Sequence, residues 1–127
     1  MKLIDQKFVL TGVLYILILL SGIWLSRTGK PYNSGIFTIH KLFVLGTLIF
    51  LGITLFKGFQ FSEASSLLKL CLVLSCFLLI TVFVTGAVIS IVEEPFLPVL
   101  WTHRVVPYIS LIILSVTLVL YRNSCSF

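Results

Sequence analysis

Residues 38–55 read TIHKLFVLGTLIFLGITL, and residues 101–118 read WTHRVVPYISLIILSVTL. His40 and His103 are the only histidines in the chain. Each is followed by a basic residue, Lys41 or Arg104, and each opens a long apolar run. Seven positions after the histidines come Thr47 and Ser110, and seven further come Thr54 and Thr117. A step of seven keeps one face of an α-helix. Each stretch therefore carries a stripe of imidazole, hydroxyl and hydroxyl.

The preceding runs match as well. LLSGIWLSRTGKPY (19–32) pairs with FVTGAVISIVEEPF (83–96). Ser21-Gly22 aligns with Thr85-Gly86, Ser26 with Ser90, Pro31 with Pro95 and, further back, Thr11 with Ser75. These pairs are 64 positions apart, whereas the histidines are 63 apart. One residue is missing between Pro95 and His103. Chance matches are cheap in an apolar alphabet, but Gly, Pro, His and two hydroxyls in the same order are less so. The pattern reads as two copies of a helix pair, and a repeat at fixed period constrains architecture before anything else does.

Composition sets the class. Of the 127 residues, 59% are hydrophobic and only 10% charged, and the mean hydropathy is +1.20. A soluble core of this size cannot hide so much apolar surface. The net charge of +5 is spread over loops and ends, where Lys and Arg flank spans, and is not a nucleic-acid signal. Three cysteines make no disulfide framework. Cys71 and Cys76 are about 140° apart around a helix, and no C-x-x-C-H is present for covalent c-type haem. No acidic residue lies mid-span, which argues against proton-coupled export.

The expected fold is all-α: one membrane domain, a four-helix up-down bundle built from two repeats of a helix pair, with spans at about 8–25, 35–56, 67–92 and 98–121. Each run is long enough for a hydrocarbon core of about 30 Å, and lipid demands helices there. Gly29 and Pro31 break the first pair, and Pro98 suits the first turn of the last span. The run at 8–25 is not read as a signal peptide, because no A-x-A-like site follows and it matches the third span. Lys2, Lys7, Lys57, Lys69 and Arg122 lie on one face, and Arg27, Lys30, Lys41 and Arg104 on the other. This small excess places both termini in the cytoplasm, with the cytoplasmic (inner) membrane as the expected location. Both histidines open even-numbered spans and so share a face.

In an up-down bundle, spans two and four are diagonal, about 13 Å apart when neighbours are 8–10 Å apart. Two inward imidazoles with metal bonds of about 2 Å can hold one iron across that gap. Gly22 and Gly86 fall at similar depth, about 6 Å inside, and are expected to leave room for a macrocycle. Lys41 and Arg104, with Arg27 and Lys30, are placed to meet propionates. Pro107 removes the helical partner of the His103 carbonyl. The first copy has Val44 there.

With these residues in place, the chain resembles the b-type cytochromes built as membrane four-helix bundles, including ascorbate-linked and hydrogenase- or formate-dehydrogenase-linked ones. The resemblance covers the four-helix plan and the His40/His103 pattern with flanking glycine. It implies one non-covalent haem b with bis-histidine ligation by His40 and His103, flanked by Gly22, Gly86, Lys41 and Arg104. Those families usually carry two ligand pairs, and this chain has one. The expected function is electron transfer between a quinol or redox partner and another protein at one membrane face, as a redox subunit rather than a stand-alone enzyme. The expected partners are the lipid bilayer, quinone and other redox subunits, and not nucleic acid. The alternatives are a haem-binding sensor, carrier or assembly factor, and a cofactor-free membrane subunit. A two-histidine copper or zinc site lacks further ligands.

Overall fold

In a computed structural model of the chain, the described residues are 3–58 and 65–124. Four α-helices account for nearly all of them: α1 Leu3–Thr28, α2 Ser34–Gly58, α3 Ser66–Ile91 and α4 Leu97–Ser124. The lengths run from 25 to 28 residues, or about 38–42 Å at 1.5 Å per residue. All four contain a segment long and apolar enough to cross a bilayer: Val9–Thr28, Ser34–Thr54, Ser66–Ile91 and Leu97–Asn123. The loop expected at 57–66 falls mostly outside the described residues, as does Cys125.

The chain divides into two compact units, Met1–Phe59 and Gln60–Phe127. In the first, α1 packs against α2, and in the second α3 packs against α4. Short connections make each unit an antiparallel hairpin.

Local chemistry explains the helix ends. Gly29 stops α1 in the left-handed region, with φ 67°, while its N–H still donates to the Leu25 carbonyl at 3.1 Å. A side-chain-bearing residue is strained there. Asn33 caps α2, its Oδ1 accepting from the Gly35 and Ile36 amides at 3.0 and 3.2 Å. Ser65 caps α3 by accepting from the Leu68 amide. Pro98 lies in the first turn of α4, where the Phe96 carbonyl receives the Val99 and Leu100 amides. Helix α4 continues through Pro107.

The burial pattern is that of a membrane protein. Large apolar side chains point outward, with Leu70 64%, Phe77 65% and Ile112 63% exposed. Small hydroxyls are interior: Thr11, Thr47, Ser75, Ser110 and Thr117 are buried, along with Tyr15, Leu25, Leu51, Leu68, Ile89 and Leu114. Lipid is as apolar as leucine, so helices gain by presenting small residues and hydrogen bonds to one another. Thr11 donates to the Lys7 carbonyl and Thr47 to the Phe43 carbonyl, one turn back. Ser75 and Thr117 hydrogen-bond between α3 and α4 at 2.9 Å. Among the described residues, no buried side-chain polar atom lacks a partner. Four such helices with an apolar exterior make the chain an integral membrane protein.

Candidate functional site

His40 is the sixth residue after Ser34 at the start of α2, and His103 is the sixth after Leu97 at the start of α4. Each lies about 9 Å along its helix from that end, against about 6 Å expected; each helix begins one residue ahead of the expected span. The one-residue difference between the copies is absorbed in the connection, between the aligned prolines and the helix start.

In the first hairpin, His40 Nδ1 lies 2.9 Å from Ser21 Oγ on α1. The Ser21 hydroxyl also reaches the Leu17 carbonyl at 2.8 Å and the Ile18 carbonyl at 3.0 Å. In the second hairpin, His103 Nδ1 lies 3.1 Å from Thr85 Oγ1 on α3 and 3.1 Å from the Val82 carbonyl oxygen. The Thr85 hydroxyl donates to the Thr81 carbonyl at 2.7 Å, with the Val82 carbonyl at 3.1 Å. Each ring is thus tied through one nitrogen to the helix that precedes it. Both histidines are half-buried.

The glycines adjoin the same rings. A Cβ on Gly22 would stand 3.2 Å from His40 Cε1, and one on Gly86 would stand 2.8 Å from His103 Cε1. At Gly12, Gly46 and Gly52 a Cβ would meet nothing within 4 Å. Among the glycines whose surroundings are described, close packing against an imidazole is specific to Gly22 and Gly86. The imidazole of the same hairpin lies against each glycine, a ring on the facing helix packing into the notch that a missing Cβ leaves.

The basic residues behave differently from one another. Lys41 Nζ sits 4.1 Å from the centroid of the Phe37 ring, one turn back on α2. Phe37 stacks on Tyr32 at 5.4 Å, and Lys30 Nζ lies 5.8 Å from the Tyr32 ring. Arg104 is exposed on α4. Trp24 and Trp101 are exposed too, as interfacial aromatics are.

Ser21 and Thr85 were not among the expected site residues, although both stood in the repeated alignment. The available signal was a hydroxyl directly before each of the two matching glycines. Among the described residues, no three His, Cys, Asp or Glu side chains converge. Each hairpin thus offers a single imidazole, and neither builds a multi-ligand zinc site within itself. No family model matches the chain, and neither a curated protein nor a solved structure matches it.

Proposed function

We propose that the chain is a membrane cytochrome of the b type, with one haem b held by His40 and His103, one imidazole from each hairpin. The supporting observation is that both rings rest in the same cradle. A hydroxyl engages Nδ1, and a glycine directly after that hydroxyl lies against Cε1. A lone interfacial histidine requires neither, and two independent ones do not require the same pair. A ring held at Nδ1 and Cε1 is fixed in orientation, as a ligand to a metal must be.

The residues suit that group. Imidazole is an ordinary axial donor to haem iron, and two of them leave no open site, which favours electron transfer over oxygen chemistry. When bound, the haem would supply a one-electron couple. Arg104 and Lys41 would neutralise its propionates. Nearby Trp24, Trp101 and the Tyr32–Phe37 pair would hold this end at the lipid–water boundary.

The same proposal includes an up-down four-helix arrangement of two repeats. Burial supports the repeat: Thr11 and Ser75, and Leu25 and Ile89, are buried pairs 64 positions apart. Thr47 and Ser110, and Leu51 and Leu114, are buried pairs 63 positions apart. These are the same two offsets that relate the glycines and the histidines. The electron partner is a quinol or another redox subunit, and the protein resides in the cytoplasmic membrane.

A visible spectrum of the purified protein tests the reading. Sharp reduced b-type bands and about one haem per chain by pyridine haemochrome are expected. A colourless preparation from haem-replete cells overturns it.

A further inference from the structure

We propose that Ser21 and Thr85 are positioning residues that hold His40 and His103 in the Nδ1–H tautomer, so that each imidazole carries its lone pair on Nε2. The part concerning iron rests on the haem reading above, whereas the tautomer does not.

The assignment follows from counting donors and acceptors. A neutral imidazole has one N–H and one acceptor nitrogen, and the partner of one nitrogen decides the other. The Val82 carbonyl can only accept. His103 Nδ1 at 3.1 Å from it must therefore carry the proton, since a lone pair facing that oxygen would repel it in a low-dielectric setting. Thr85 has a single hydroxyl proton, and the Thr81 carbonyl at 2.7 Å takes it. Its oxygen is then an acceptor for His103 Nδ1–H. In the first hairpin the assignment rests on the hydroxyl alone. The Ser21 proton goes to the Leu17 carbonyl at 2.8 Å, and Ser21 Oγ accepts from His40 Nδ1–H at 2.9 Å.

The glycines make this geometry reachable. Gly22 and Gly86 directly follow the two hydroxyl residues, and a Cβ at either position would press on Cε1, the carbon between the two ring nitrogens. The hydroxyl–glycine pair thus both brings Nδ1 to its acceptor and lets the ring edge lie flat against the helix. An acceptor on the distal N–H makes an imidazole a stronger donor to a metal. Stronger donation stabilises ferric over ferrous iron, so loss of either hydroxyl should raise the haem midpoint potential.

Two measurements on the full chain test this. In the first, protein labelled at the histidine nitrogens is made haem-free by cell-free synthesis into micelles, and its ring-nitrogen resonances are recorded. Both rings should show a protonated Nδ1 and an unprotonated Nε2. An Nε2–H ring at either position overturns the proposal. In the second, haem-loaded Ser21→Ala and Thr85→Val should keep the bis-imidazole spectrum with a raised potential, and Thr85→Ser should return it to the starting value. Unchanged potentials in both variants overturn the positioning role. A chain that takes up no haem overturns the cytochrome reading instead, and the nitrogen resonances still decide the tautomer.

Discussion

The two glycines differ by a few tenths of an ångström, and that difference has a consequence at single residues. A methyl group at Gly86 would stand 2.8 Å from the His103 ring, a distance real side chains do not tolerate, whereas one at Gly22 would stand 3.2 Å from His40. Gly86→Ala must displace a ring held by two partners, while Gly22→Ala asks for a slight shift. Gly86→Ala is therefore expected to lower haem occupancy more than Gly22→Ala, with Gly52→Ala close to wild type because nothing lies within 4 Å there. Pyridine haemochrome per chain at equal membrane insertion measures the order. Equal losses at all three would show general misfolding. On the haem reading, the two histidines give a second expectation at this scale. His40→Ala and His103→Ala should each abolish the low-spin spectrum, because one imidazole cannot hold a six-coordinate bis-histidine iron. Wild-type spectra in both single variants would place the ligands elsewhere.

Each hairpin buries small hydroxyls beside its apolar residues, and in the second hairpin two of those hydroxyls bond across the helices. The Ser75–Thr117 bond is an interhelical contact among residues almost wholly removed from the surface. Such bonds in membranes contribute about 0.6 kcal/mol on average. Thr117→Val, nearly the same in volume, is expected to cost about that amount in a reversible unfolding measurement in bicelles. Ser110 is 0% exposed, so Ser110→Leu must overpack the helix contact and should cost about 1–3 kcal/mol. A Thr117→Val variant as stable as the starting protein would remove the Ser75–Thr117 bond from the account of what holds α3 to α4. The helices themselves were legible in the sequence, since apolar runs of bilayer length have one solution in lipid. Their ends were less so. Helix α1 starts at Leu3 rather than near residue 8, because a change of polarity marks the membrane boundary and not the end of a helix. His40 and His103 were legible as paired positions. Their contacts with Ser21, Thr85, Gly22 and Gly86 were not, because those residues lie on the facing helix and periodicity along one helix carries no information about what crosses to another.

At the scale of the whole molecule, the proposed up-down arrangement of four spans puts both ends of the chain on one side of the membrane. On the proposal that those ends are cytoplasmic, cysteines introduced at Asn33 and Glu94, in a protein cleared of Cys71, Cys76 and Cys125, should react with an impermeant maleimide from outside intact cells. A cysteine at Asn123 should react only after lysis. Labelling of Asn33 and Glu94 from different sides would mean an odd number of spans between them and would remove the shared face that the two histidines need. The interior of each hairpin also bears on timing. The imidazoles are tethered at Nδ1 and backed by glycine through contacts made within each hairpin alone. Their rotamer freedom is thus given up when the helices pair rather than when a cofactor is captured. On the haem reading, capture should then be fast and limited by access, and it should show little of the slow spectral drift that follows when side chains must search for their places around an iron already in the membrane.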